Sequence, residues 1–238
     1  MFSGELFSSA TLNEAWEIIR TQFLLAVWDT VYVTILSTVF AILIGLPLGV
    51  LLVAGEKGGV RPLPKGLMRF LNVFINLLRS VPFLILMILV FPLTRAIVGT
   101  TVGTTASIVP LVIAAFPFVA RLAEGSLREV NPNIIEMAQS MGAKPMQIIF
   151  KVMIPESVPS LISNATIAVT TILGYSAMSG IIGGGGLGKI AINYGYYRYK
   201  YLIMILAVVL LIVLVEVFQT IGTRLSVKSD KRLKSRRK

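Results

Sequence analysis

Apolar residues in this chain come in long blocks, and the charged residues gather between the blocks. Uncharged runs extend from Thr30 to Gly55, from Ser80 to Thr94 and from Ser157 to Gly188, and two further apolar stretches cover about Ala106 to Ala123 and Tyr201 to Ile221. About 20 mostly apolar residues in a helix cross the hydrocarbon core of a bilayer. The pattern therefore predicts five membrane-spanning helices. The second centres on Val81 to Leu93. Its uncharged run of Ser80 to Thr94 is too short to span, so the helix is expected to extend backward through Phe70 to Leu78, which puts Arg79 inside it. An arginine within a span costs ~2.5–3.5 kcal/mol on insertion scales, so it should face protein or a water-filled cavity. Two roles follow for Arg79: a structural one, bonded to carbonyls of a neighbouring helix, or a place beside a translocation path.

Composition agrees with the pattern. Hydrophobic residues make up 55% of the 238 and charged residues only 14%, against about 25% charged in soluble domains. The mean hydropathy is +0.85. A soluble enzyme and a disordered chain are both excluded. The chain has no His and no Cys, so zinc, thiolate and disulfide chemistry are out and no metal site is expected. Asp29 and Asp230 are the only two aspartates, and neither has a near carboxylate partner. No catalytic residue is expected. The acids near spans, Asp29, Glu124 and Glu216, all lie close to the ends, which disfavours ion-driven transport.

The net charge of +11 is unevenly placed: eight of the 22 Lys and Arg lie between Arg224 and Lys238. That tail follows an apolar run and has no aromatic to stack on a base. It reads as a topology anchor near anionic lipid rather than a nucleic-acid site. With the N-terminus outside, the cytoplasmic segments hold sixteen basic residues and the outer segments five, with Arg79 left over. This predicts an N-terminus outside and a C-terminus inside. The expected organisation is an outer segment over 1–22, one transmembrane domain over 23–223 and a basic cytoplasmic tail over 224–238. In the first segment Trp16, Ile18 and Ile19 are expected at the membrane interface.

Individual helices carry further marks. Gly45-Leu-Pro-Leu-Gly49 suits close helix packing around a kink. The fourth helix is rich in Ala, Ser, Thr and Gly. It suits a packed interface or a polar wall, and Asn164, Thr166, Thr170, Tyr175, Ser176, Met178 and Ser179 are pathway candidates with Arg79. The fifth helix is nearly all Leu, Ile and Val and should face lipid, with Glu216 near its inner end open to pairing with a basic neighbour. Gly183 to Lys189 fits the start of a phosphate loop, but Ile190 stands where Ser or Thr should hold magnesium. A flexible glycine turn after the fourth helix is the better reading.

The cytoplasmic loop over about 128–155 is the most informative segment. Asn131 or Asn133 can cap a short helix, Gly142 can end it, and Pro145 suits the first turn of the next. Ile134, Ala138 and Met141 share one face at helical spacing, while Glu136, Gln139 and Ser140 lie elsewhere. Such a helix either rests on lipid or docks into a groove on a soluble partner.

Glu136-Met-Ala138, then Gly142, then Val152-Met-Ile154-Pro155 resembles the EAA motif of bacterial ABC-importer permeases, with Met137, Val152 and Ile154 as mild departures. RSVPF (Arg79 to Phe83), the stretch Pro117 to Val130 and the stretch Gly174 to Tyr199 are similar to the methionine-importer branch of that family. The likeness runs from about Phe23 to Arg224. It implies an all-α membrane fold of the type I importer permease: five transmembrane helices plus a short cytoplasmic coupling helix. It implies that Ile134, Ile135, Glu136, Ala138, Met141, Gly142 and Pro145 form the ATPase-coupling site. The implied assembly is a homodimer with two cytoplasmic ATPase subunits, which carry the ATP and magnesium, and an extracytoplasmic methionine-binding protein or lipoprotein. The implied function is ATP-driven import of methionine across the bacterial cytoplasmic membrane by alternating access, with no cofactor on this chain. Import of another amino acid or small solute, or an ion-driven carrier, are the alternatives.

Overall fold

The computed structural model describes residues 16–230. The expectations for residues 1–15 and for the basic tail over 231–238 fall outside the described residues. Among the described residues all regular structure is helical. The helices are α1 (Leu24–Ala54), α2 (Lys65–Ser80), α3 (Phe83–Leu89), α4 (Phe91–Val98), α5 (Ile108–Arg128), α6 (Pro132–Ser140), α7 (Pro145–Ile148), α8 (Ile154–Ser179), α9 (Gly186–Ile190) and α10 (Tyr201–Ser229). Single π-helical turns at Ile19–Phe23, Ile149–Met153 and Ala191–Tyr196 adjoin α1, α8 and α9. Four helical stretches are long and apolar enough to cross a membrane, and a fifth span results if the bent pair α2 and α3 counts as one.

The second span differs from the expectation. α2 ends at Ser80, Val81 is extended (φ −81°, ψ 126°), and α3 leaves at a bend of 107°. Pro82 is the cause: its ring crowds the preceding residue out of the helical region. α2 is amphipathic, with Lys65, Arg69, Asn72, Asn76 and Arg79 recurring at intervals of four and three residues. Arg79 thus stands in the last turn of an amphipathic helix rather than in the middle of a straight apolar span. A cation there is favoured by the helix dipole.

The chain divides into two compact units. The first comprises the described part of Met1–Ser37, together with Phe83–Leu111 and Thr170–Val217. Here helix runs unbroken from Trp16 into α1. Ile18, Phe23 and Ala26 are buried with Leu187 and Ile190 of α9 and Ile203 and Ala207 of α10. Ile18 is therefore a core residue and not an interfacial one; Trp16 is exposed. The glycine segment after α8 is packed, not flexible. A Cβ on Gly180 would lie 2.5 Å from the Gly188 carbonyl carbon, so the chain can fold back only with glycine at this crossing. The Gly184 amide donates to the Ser179 carbonyl (2.9 Å) and the Leu187 amide to Thr30 Oγ1 (2.9 Å). These two amides are committed within the fold and take no part in a phosphate cradle.

The second unit comprises Thr38–Pro82, Val112–Val169 and the described part of Phe218–Lys238. Gly45 and Gly49 let α1 lie directly on α5: a Cβ on either would meet the Phe116 or Ala120 carbonyl oxygen at 2.7 Å. Leu52, Ile75 and Ala120 fill the space shared by α1, α2 and α5. Ser226 Oγ of α10 donates to the Pro159 carbonyl of α8 (2.8 Å). Elsewhere α10 leaves Val213, Val217, Ile221 and Leu225 exposed, as expected of a helix against lipid. Glu216 is exposed and makes no ion pair among the described residues.

Candidate docking site and pathway residues

α6 is set up by its own ends. Asn131 is extended (φ −60°, ψ 123°), and its side-chain oxygen accepts from the Asn133 amide at 3.0 Å, so Asn131 is the N-cap. Pro132 occupies the first turn, where its missing N–H costs nothing. At the other end the Gly142 amide donates to the Gln139 carbonyl (2.9 Å) and the Ala143 amide to the Ala138 carbonyl (3.1 Å). With Gly142 at φ +76°, this is a Schellman stop. Lys144 then caps α7: its amide donates to Gln147 Oε1 at 2.8 Å, and Pro145 begins the helix.

Nine residues give two and a half turns, and none of α6 is fully buried. Its inner side rests on a core of Ala54, Leu127, Ile148, Ile149 and Met153, against which Ile135, Ala138 and Ala143 pack. Ile134 is half-buried. Glu136, Met137, Gln139, Ser140, Gly142 and Pro145 are exposed. Met141 is 80% exposed, so it does not share the packed face of Ala138 as the spacing suggested. The helix has ended by then, and Met141 is its C-cap with ψ of 4°. α6 therefore presents an outer surface of Glu136, Met137, Ser140 and Met141 while its other side is tied to the core.

The pathway candidates separate by what their side chains already do. Asn164 Nδ2 donates to the Leu122 carbonyl (3.1 Å) and to Ser126 Oγ (2.8 Å), which spends it on holding α8 to α5. Ser176 and Ser179 are buried, and their hydroxyls donate to the Leu173 and Ser176 carbonyls, each at 2.7 Å. Tyr175 stacks on Phe83 with ring centroids 4.7 Å apart. Met178 is exposed, on the same side of α8 as Ile167 and Gly174. Arg79 is exposed and makes no hydrogen bond or ion pair among the described residues. The bonded structural role considered for Arg79 is therefore not realised among the described residues.

One cluster escaped the sequence reading. Glu124 of α5 accepts from Arg121 Nη1 at 2.7 Å and from Arg128 Nη2 at 2.9 Å, with its side chain 13% exposed. Arg128 Nη1 reaches Glu56 at 2.8 Å, and Arg121 Nη2 donates to Asn72 Oδ1 (2.9 Å) and Asn76 Oδ1 (3.0 Å). The i, i+3 and i, i+4 spacing of Arg121, Glu124 and Arg128 was a local signal. The partners on α2 and beyond α1 are remote in sequence. Asp29 is also engaged, accepting from Thr104 Oγ1 at 3.1 Å. Among the described residues no group of His, Cys, Asp and Glu could hold a metal ion.

Comparison with known proteins adds to this geometry. A family model described as "Binding-protein-dependent transport system inner membrane component" matches residues 45–225. The chain is 48% identical to a Vibrio cholerae protein described as a probable D-methionine transport system permease protein, MetI, over 91% of this chain and 96% of that one. It is 44% identical to the D-methionine transport system permease protein MetI of Escherichia coli K12, over 69% of this chain and 73% of that one. Among solved structures, a chain of the MetNI methionine ABC transporter in inward-facing conformations matches with TM-score 0.86 and 41% identity, covering 94% of this chain and 100% of that one. A chain of an amino acid ABC transporter matches with TM-score 0.72 at 19% identity, covering 87% and 93%, which is a likeness of fold.

Proposed function

Because the chain belongs to the family of binding-protein-dependent transport system inner membrane components, we propose that it is the membrane-spanning permease subunit of an ATP-driven methionine importer. The observation that carries this reading is α6: a capped helix fixed to the core on one side and open on the other, at the spacing of the EAA motif. The similarity to D-methionine permeases over nearly the whole chain supports methionine as the substrate. The likeness to a MetNI chain supports a homodimer bound to two ATPase subunits.

In this reading Ile134, Ile135, Glu136, Ala138, Met141, Gly142 and Pro145 make up the docking segment. They divide the work. Ile135 and Ala138 anchor the helix, Gly142 and Pro145 end it and redirect the chain, and Glu136 and Met141 meet the ATPase. ATP binds and is hydrolysed, with magnesium, on the partner subunits. A binding protein delivers substrate at the outer face, and the N-terminus lies outside with the C-terminus in the cytoplasm. Closure of the ATPase dimer pulls on α6 and switches the permease between outward and inward access. Arg79 and Met178, whose side chains are exposed, would face the path or the second copy. Tyr175 and Asn164 would shape the wall by holding helices in place, and Ser176 and Ser179 by their packing, with their hydroxyls satisfied on their own helix.

The test is uptake of labelled L-methionine and D-methionine into proteoliposomes holding this chain, its ATPase and its binding protein, with and without internal ATP. ATP-dependent uptake competed by unlabelled methionine but not by leucine or lysine is the expected result. ATP-dependent ATPase coupling without methionine uptake would move the substrate to another small solute. Methionine uptake without ATP would overturn the mechanism in favour of an ion-driven carrier.

A further inference from the structure

The Glu124 cluster lies at the root of the docking helix. Arg128 is the last residue of α5, and only Glu129 and Val130 separate it from the Asn131 cap of α6. Val130 and Leu127 are buried, so this short link is not free to swing. The cluster joins two places in the fold to this root. Through Arg128 it reaches Glu56, just past the end of α1 (2.8 Å). Through Arg121 it reaches Asn72 and Asn76 on α2. Glu124 is the centre, because it accepts from both guanidinium groups.

A solvated surface pair is the plain alternative, and it fits only part of the cluster. Arg128 and Glu56 are 47% and 50% exposed, and a pair of that kind contributes little to stability. Glu124 is different. At 13% exposure its carboxylate is largely withdrawn from water, and guanidinium groups replace the lost solvation with charge-assisted hydrogen bonds. Removing that charge leaves two arginines facing one another across a neutral group. The apolar core beneath α6 also joins it to the end of α1 through Ala54. It is non-directional, whereas forked guanidinium bonds add a fixed geometry and reach α2.

We infer that Glu124 is the positioning residue of an ionic clamp, running from Glu56 through Arg128, Glu124 and Arg121 to Asn72 and Asn76, that makes α6 move as one body with the end of α1 and with α2. This rests on the coupling function proposed for α6. The ATPase acts on α6, and the clamp carries that movement into helices that line the membrane domain. Without the clamp α6 still docks and the ATPase still turns over, but less of the movement reaches α2 and the end of α1.

The experiment uses the full complex in proteoliposomes with its binding protein, measuring ATP hydrolysed and methionine imported on the same sample. Allosteric couplings typically amount to ~5–150-fold. Glu124→Gln is expected to keep ATP hydrolysis near the wild-type rate while ATP consumed per methionine rises at least about fivefold. A merely structural role would lower hydrolysis and import together and leave the ratio unchanged. Glu56→Gln, at the exposed rim, keeps the test open should Glu124→Gln fold poorly. It should raise the ratio in the same direction by a smaller factor, and adding Arg128→Gln should raise it no further than Arg128→Gln alone. A wild-type ratio in Glu124→Gln, or in Glu56→Gln where Glu124→Gln does not fold, or additive effects of Glu56→Gln and Arg128→Gln, would overturn the clamp. Wild-type complex that shows no ATP-dependent uptake would instead overturn the proposed function, and the clamp with it.

Discussion

Gly142 gives the sharpest separation between backbone conformation and crowding. A Cβ built at this position meets nothing within 4 Å, so there is room for a side chain. Its φ is +76°, in the left-handed region. An L-residue held there costs about 1–2 kcal/mol, less for Asn and more for a β-branched residue. Two hydrogen bonds depend on this conformation: Gly142 to Gln139 and Ala143 to Ala138. A cost of ~1 kcal/mol for Gly142→Ala raises the opening of this turn about fivefold, since ~1.4 kcal/mol is tenfold. Hydrogen exchange of peptides spanning 138–146 reads that opening directly. Protection is expected to fall in the order Gly, Asn, Ala, Val. Methionine uptake in the assembled transporter should fall in the same order. The informative comparison is Asn against Ala. Asn is larger but tolerates the left-handed region better. If Ala is tolerated better than Asn, size rather than backbone conformation governs the position, and the reasoning from φ is refuted.

Two further expectations concern packing and the pathway. Gly49→Ala puts a methyl 2.7 Å from the Ala120 carbonyl and the Ala123 Cβ, both on α5. Overpacking of this kind costs ~1–3 kcal/mol and should lower the thermal unfolding temperature of the purified protein. Gly125→Ala, in α5 with nothing within 4 Å of its Cβ, serves as the matched control and should be neutral or stabilising. Arg79→Ala removes a side chain without a partner among the described residues, so stability should stay within about 0.5 kcal/mol of wild type while uptake falls. Loss of folded protein in that variant would show that Arg79 has a structural role in the assembly.

Pro82 illustrates a signal that was present in the sequence and outweighed by another. Hydrophobic continuity favoured one straight span through Arg79. Pro82 excludes helical geometry at Val81, and α2 carries polar residues at helical spacing, both of which argue for a break. The Arg121, Glu124 and Arg128 spacing was equally visible, but Asn72 lies 49 residues from Arg121, and no local pattern joins them. Met141 differs in kind: helical spacing puts it on the face of Ala138, but the stop at Gly142 makes Met141 the C-cap and turns it outward.

The sequence by itself determined the membrane class, the number of apolar segments and the short helix α6 with its stop at Gly142. Each is written along a continuous stretch of chain: the length of an apolar run, the Asn131 side chain on the Asn133 amide, the Gly142 amide on the Gln139 carbonyl. Tertiary structure alone decided which polar groups are free. Asn164, Ser176 and Ser179 looked like a polar wall in the sequence. Packing consumes Asn164 on α5, 38 residues away at Ser126, and the serine hydroxyls on their own helix, while leaving Arg79 and Met178 exposed. Ile18 joined a core supplied by residues near 190 and 205. Burial and hydrogen-bond satisfaction are properties of what lies across the space between helices, and sequence spacing carries no information about that until the chain has folded.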